Sequence, residues 1–325
     1  VLLILFLLFL LAGSVFVNFV QFAGHSSSDE SGGRVQEKYF SHAKGAPNKV
    51  VILTIEGTIL DGQGFVKRQI DHAMKDDNIK AMVLRVNSPG GTVTGSDYIY
   101  HHLKKLTEER KIPVVVSMGG VAASGGYYVS MAVGDRPGTI FAEPTTWTGS
   151  IGVMIPHYNA AELLEKIGVQ QDTIASHRLK GMGSMARPMT EEERKIFQGL
   201  VDESFAGFKA IVQAGRPRFK EHPEELDKIA TGQVFTANQA LKNGLVDEIG
   251  FVEDAVAHAV KLTNLPDNEV SVVEYKPEPT LADALFGRSE ARASRVDLSV
   301  LLDAMTPRSY YLCSWIPPAI STSRP

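Results

Sequence analysis

A single cysteine, Cys313, rules out an intrachain disulfide or a cluster of thiolate ligands. The nine histidines form no HExxH pair and no tight ligand set, and His101 and His102 diverge as neighbours on an expected helix. Neither a metal nor a cofactor is expected. Basic charge is in short supply as well: 33 Lys plus Arg against 37 Asp plus Glu leave a net charge of -4, so no nucleic-acid footprint is present. No GxGxxG follows the first apolar run of the body, and no glycine turn continues into the Gly-Lys-Ser/Thr ending of a phosphate loop. The first 28 residues lack Asp, Glu, Lys and Arg altogether.

That uncharged start reads VLLILFLLFLLAGSVFVNFV from Val1 to Val20. Twenty helical residues at 1.5 Å each span roughly 30 Å, one hydrocarbon core. A transmembrane anchor is therefore expected over 1–23. A cleaved signal peptide is the rival reading, but its apolar stretch is usually shorter and ends in a small-residue cleavage site. Residues 24–48, rich in Gly, Ser and charge, read as a flexible stalk.

From Lys49 the pattern alternates. Val50 to Ile55, Ala81 to Val86 and Pro113 to Val116 are apolar runs of strand length, separated by helical stretches at Asp71–Asp76 and Ser96–Arg110, the latter with Ser96 as its expected N-cap. This is the spacing of an α/β body with largely parallel strands. Further strands are expected at Ile140–Ala142, Ile151–Ile155 and Val270–Tyr275. Helices are expected from Asn159 through Ile167, over Glu191–Ala214 behind a Thr190/Glu193 capping box, over Thr236–Leu241 and over Phe251–Leu262. Residues 277–325 read as a linker and tail with a small docking helix.

Two turns follow the second and third strands: Asn87-Ser88-Pro89-Gly90-Gly91 and Ser117 to Gly126. Each alone is ordinary turn chemistry. Together they place Ser124 at a helix start among glycines, where backbone N–H groups can stabilise an oxyanion, with Gly91 as a facing donor if the turns converge. A serine nucleophile also needs a base. A lysine serves when desolvation leaves its amine neutral, but in the sequence alone Lys180 is one lysine among many.

Residues 113–130, PVVVSMGGVAASGGYYVS, resemble the nucleophile region of the signal peptide peptidase A family of membrane-bound Ser-Lys peptidases. Asn87–Gly91, Thr148-Gly-Ser-Ile-Gly-Val153, Lys180 through Arg187-Pro-Met-Thr-Glu-Glu-Glu, Thr231-Gly-Gln-Val-Phe235 and Gly244–Gly250 match further blocks in order, so the resemblance runs from about Val50 to Leu262. It implies a ClpP/crotonase-like spiral core of strand-helix units over 49–276, preceded by the single transmembrane helix. It further implies Ser124 as nucleophile, Lys180 as general base, Gly91 and Gly125 as oxyanion donors, and Ser150 as a hydrogen-bond partner of the lysine amine. His177-Arg178-Leu179-Lys180-Gly181 departs from the family's common Ser-Gly-x-x-Lys-Asp pattern. The implied protein is a single-pass protein of the bacterial cell membrane, with its catalytic domain on the extracytoplasmic side. It would be a homo-oligomer that cleaves hydrophobic peptides, remnant signal peptides above all, beside the lipid bilayer. Other readings are regulated cleavage of one membrane-associated protein, a non-catalytic membrane-tethered scaffold, and a CoA-dependent crotonase on the same fold.

Overall fold

The computed structural model describes residues 34–136, 138–278 and 309–312. The expected anchor and most of the expected tail lie outside these. Among the described residues no helix is long and apolar enough to cross a membrane.

The strands are β1 (Val35–His42), β2 (Asn48–Glu56), β3 (Ile79–Ser88), β4 (Gly90–Thr92), β5 (Val114–Ala123), β6 (Ile140–Ala142), β7 (Trp147–Gly149), β8 (Val234–Thr236), β9 (Glu248–Ile249), β10 (Val270–Pro277) and β11 (Tyr310–Leu312). The helices are α1 (Gly64–Lys75), α2 (Val93–Arg110), α3 (Gly125–Ser130), α4 (Ala161–Lys166), α5 (Glu191–Gly215), α6 (Pro217–Glu221), α7 (Pro223–Ile229), α8 (Ala237–Lys242) and α9 (Val252–Leu262). The main sheet runs β1-β10-β2-β3-β5-β6-β9, with β7 and β8 branching from β5. From β10 to β9 every neighbouring pair is parallel, and β1 closes the edge antiparallel to β10.

The apolar runs produce this arrangement because both faces of the central strands are covered. Side chains alternate with a period of two. Val51, Leu53, Ile55, Met82, Leu84, Val86 and Val116 face a core shared with Ile70 of α1, Leu103 of α2 and Val129 of α3. Val50, Ile52, Ala81, Val83 and Val115 face the other way, against Ala255, Val256 and Ala259 of α9.

Several elements differ from expectation. Residues 35–42, assigned to the stalk, form β1 because their backbone pairs with β10 from Val35↔Pro277 to His42↔Ser271. Helix α1 begins at Gly64, seven residues ahead of Asp71. Thr92, not Ser96, caps α2: its Oγ1 accepts from the Gly95 N–H at 3.0 Å, while Ser96 lies buried one turn in and donates to the Thr92 carbonyl. Ser117–Ala123 continues β5 instead of turning. A Cβ at Gly119 would sit 3.1 Å from that of Asn87, so this glycine serves close packing inside the strand. Residues 151–155 form no strand. Gly149 and Ser150, at φ 82° and 50°, bend the chain away from β5, and only Met154 makes a bridge, to Tyr310. In the tail, residues 310–312 are a strand and not part of a helix.

A mostly buried ion pair ties the last third of the fold to the sheet. Asp247 accepts from Arg216 through both carboxylate oxygens, at 2.8 and 2.9 Å. Its Oδ2 also accepts the N–H groups of Thr139 and Ile140, where β6 starts. Asp247→Ala leaves the guanidinium and two amides without their acceptor. Thermal or denaturant unfolding should show a loss of about 3–5 kcal/mol, and a loss below about 1 kcal/mol would mean that the pair is solvated in the working protein.

Candidate active site

The site is built where β3 and β5 end side by side. Their parallel ladder runs from Met82↔Val114 to Val86↔Met118, then slips so that Ser88 faces Ala122. The slip carries Pro89–Gly91 across the end of β5 and over the start of α3. A Cβ at Gly125 would lie 3.0 Å from Gly90 Cα and 3.1 Å from the Gly91 nitrogen. One at Gly126 would lie 2.5 Å from the Ser88 carbonyl oxygen, and one at Gly91 only 1.7 Å from that of Ile59. The two turns interlock only because these positions lack side chains.

Ser124 stands between them. It is buried, and its backbone sits at φ 55°, ψ −114°, strained for a residue with a side chain. The Ala123↔Gly149 pairing of β5 with β7 and the Ser124 N–H to Gly149 carbonyl bond, 2.8 Å, hold it there. Ser150 follows directly, also buried and at positive φ, its N–H bonded to the Gln233 carbonyl at 2.7 Å. Ser124, Ser150, Gly91 and Gly125 are thus brought into one cluster. Among the described residues no hydrogen bond joins the Ser124 hydroxyl to any side chain.

A cleft opens beside the serine, with a backbone edge on each wall. On β4, the Gly90 carbonyl and the Thr92 N–H are taken up by Ile59 at 2.9 and 2.8 Å, leaving Gly91 and Val93 to present the opposite edge. Met154 forms the other wall, and a cavity of about 350 Å³ runs on from Ser150 to Met154 towards Gln198, Val201 and Phe205 of α5. Tyr128, one helical turn after Ser124, lines the cleft floor; its hydroxyl donates to Asp97 at 2.8 Å. Burial first, then the Asp97 carboxylate, pushes that phenol upward, so it remains a donor. The sequence reading passed over Ile59, Tyr128 and Met154; only Tyr128 carried a local signal, an aromatic placed one turn after the serine.

The profile of peptidase family S49 matches residues 107–266, and that of Clp protease matches residues 51–148. The chain is 37% identical over 253 residues to the protease-family protein slr0021 of Synechocystis sp., covering 78% of this chain and 88% of that one. The chain belongs to peptidase family S49. It is also 38% identical over 250 residues to the protein designated signal peptide peptidase SppA in Enterococcus faecium, covering 73% of this chain and 70% of that one. With Protease 4 of Salmonella typhi it shares 36% identity over 266 residues, 79% of this chain but only 41% of the longer relative. The fold of this S49 chain is accordingly mixed α/β with a Clp-protease-like domain.

Lys180 is the sequence-named residue that, among the described residues, no hydrogen bond joins to the cluster. It lies on a short 3₁₀ turn, Arg178–Gly181, and is exposed. Among the described residues its amine has no hydrogen-bond or ion-pair partner. The turn itself is held firmly. Arg187 donates to the Gly181 carbonyl at 3.0 Å and makes a two-pronged pair with Glu193 in the first turn of α5. Glu193 also closes the expected capping box with Thr190. The Arg187 hydrogen bonds, with the Thr190 N–H second, pull the Glu193 carboxyl down to about 2 from its ordinary 4.5. A depressed acid contributes stability that is fully present above its unfolded value and lost as pH falls through the folded one. The protection factors of residues 178–187 against hydrogen exchange, which remove the intrinsic pH dependence of the amides, should therefore hold above about pH 4.5 and fall as pH falls towards 2. Glu193→Gln should lower them already at neutral pH and flatten the acid response.

Proposed function

We propose that this S49 chain is a membrane-anchored serine endopeptidase that hydrolyses hydrophobic peptides through an acyl-enzyme, with Ser124 as nucleophile and Lys180 as general base. The observation that carries the reading is the close approach of the Gly91 and Gly125 backbones beside the strained Ser124. Two N–H donors aimed at one point are what a tetrahedral oxyanion needs. Strain at the nucleophile keeps its hydroxyl at the cleft and not folded back into the helix. The two backbone edges at Gly91–Val93 and at Met154, which pair with the chain's own Ser309–Leu312, would receive an extended peptide as an added strand once that segment is displaced, and set its carbonyl over the serine.

In this reading the Ser124 oxygen attacks the scissile carbonyl while the lysine amine takes its proton. The Gly91 and Gly125 amides hold the oxyanion, the lysine returns the proton to the leaving amine, and water then hydrolyses the ester. Ser150, next to Ser124, orients the incoming amine. The ClpP/crotonase-like spiral and the anchor over residues 1–23 belong to the same proposal, since an anchored site meets peptides left in the bilayer of a bacterial cell membrane.

Lys180 reaches the cleft from a second copy of the chain. Support comes from its exposure on the arm between Met154 and α5, and from the apolar side chains that arm presents: Tyr158, Leu163, Ile167, Val169 and Ile174, the last 98% exposed. A monomer gains nothing from such a surface, whereas a homo-oligomer buries it and desolvates the amine. The regulated-cleavage reading uses the same site and differs only in substrate.

The full chain in detergent, given a quenched hydrophobic peptide, tests this. Ser124→Ala and Lys180→Ala should each lower kcat/KM by about 10³-fold or more. Mixing and reassembling the two inactive variants should restore about a quarter of wild-type activity, because random neighbours then pair an intact serine with an intact lysine. No recovery from mixed, fully assembled oligomers would place both residues in one subunit, and full activity in either variant would remove that residue from the mechanism.

A further inference from the structure

On the way to the Ser124 end of the sheet, β5 uses two more residues than β3. Their ladder pairs Val86 with Met118 and next pairs Ser88 with Ala122, a step of two on one strand and four on the other. At roughly 3.3 Å per residue the surplus is about 7 Å of strand. An even ladder would set Ser88 opposite Gly120 and lay Gly90–Gly91 over Ala122–Ala123, two residues short of Ser124–Gly125. The bulge at Gly119–Gly120 is therefore what brings the glycine turn over the serine. Ser88 carries the same measure forward, since its hydroxyl accepts the Gly90 N–H at 3.1 Å.

A bulge leaves backbone groups outside the ladder, and buried ones need other partners. On its far side β5 pairs with β6 from Val116 to Met118 and with β7 from Val121 to Ala123, so Gly119 and Gly120 fall between the two. Two side chains fill the gap. Asn87, the β3 residue opposite the bulge, accepts the Val121 N–H through Oδ1 at 3.2 Å. Thr146, buried in the connection from β6 to β7, donates its hydroxyl to the Gly119 carbonyl at 2.7 Å. A Cβ at Gly119 would lie 3.1 Å from Asn87 Cβ and 3.2 Å from the Arg85 guanidinium, so the bulge fits its brace only as glycine. Arg85 in turn donates to Ser117 Oγ at 2.9 Å and to Glu143 at 2.5 Å, where the β6–β7 connection begins.

Asn87 does not face the cleft. It continues the row of Ala81 and Val83 on the α9 side of the sheet and is exposed there, while Tyr128 and Val129 of α3 pack on the opposite side. Any effect it has on the chemistry passes through the backbone.

We infer that Asn87 and Thr146 are positioning residues of this active site. By holding the Gly119–Gly120 bulge they set where Ser124 and Gly125 stand against Gly91, and so govern acyl transfer rather than peptide binding. This rests on the reading of Ser124 as nucleophile with the glycine amides as its oxyanion donors.

The test is the full chain in detergent with the quenched peptide. Asn87→Ala removes the acceptor and should lower kcat about 10- to 100-fold with KM within about threefold, the cost of moving a reacting group by about 1 Å. Asn87→Asp keeps an oxygen at the same reach and should stay within about threefold of wild type in both constants. Thr146→Val and Thr146→Ser should repeat the contrast through the hydroxyl. Because Asn87 is exposed, its two variants keep the comparison decisive where Thr146→Val fails to fold. Protection of the Val121 and Ser124 amides against hydrogen exchange should fall in Asn87→Ala and hold in Asn87→Asp. A wild-type kcat in Asn87→Ala would overturn the inference, and so would a raised KM at unchanged kcat, which would make Asn87 a substrate contact. Equal losses in Asn87→Ala and Asn87→Asp, with exchange faster across the whole sheet, would overturn it as well and leave the pair a role in stability alone. If the wild type cleaves no peptide, the peptidase reading fails; exchange at Val121 and Ser124 then decides the brace, and unchanged protection in Asn87→Ala would sink it.

Discussion

Two backbones meet at the end of the sheet closer than any pair of side-chain-bearing residues could. Pro89–Gly91 lies across Ser124–Gly126, and a Cβ at Gly91, Gly125 or Gly126 would fall 2.5 Å or less from an oxygen of Ile59, Ser96 or Ser88 respectively. Everything chemical in the molecule depends on that approach. It sets the Gly91 nitrogen against Gly125, leaves the outer edge of β4 to pair with β11 and goes with Ser124 at a positive φ. The parallel sheet supplies the force, since a core filled from both faces fixes where β3 and β5 end and leaves their connections little freedom.

The rest of the site is assembled from pieces with few local constraints. Gly149 and Ser150 turn the chain out of the sheet at positive φ, and beyond them the backbone satisfies its hydrogen bonds with whatever lies alongside. Met154 uses Tyr310 for this. The arm that follows is held by the Arg187–Glu193 pair rather than by a core, because none of α4 is buried. A segment tied at its base by charge carries its apolar side chains outward, which is the surface that the proposed homo-oligomer would cover.

Much of this was legible in local pattern. The runs at Val50–Ile55, Ala81–Val86 and Ile140–Ala142 became strands because an apolar stretch of that length is buried on both faces. The Thr190/Glu193 cap started α5 because its hydrogen bonds are made within four residues. The Ala123-Ser124-Gly125-Gly126 cluster marked the strained turn, since few other residue types tolerate that geometry. What escaped was set by distant pairing. Val35–His42 is mostly polar and half-buried, with little to separate it from a stalk until β10 lies beside it. Ser96 resembled a cap, yet Thr92, whose hydroxyl donates to the distant Leu60 carbonyl, accepts the Gly95 N–H and starts the helix.

By itself, then, the sequence determined the central strands β2, β3, β5, β6 and β10, the capped helix α5 and the serine among glycines, because burial period, capping and glycine tolerance act within a few residues. Only the tertiary structure decided that Tyr310–Leu312 lies between β4 and Met154, that the Tyr128 and Phe208 rings meet edge-on, and that Lys180 stands exposed on a 3₁₀ turn. The first two outcomes join residues 80 or more positions apart, and a three-residue strand is too short to carry any periodicity of its own.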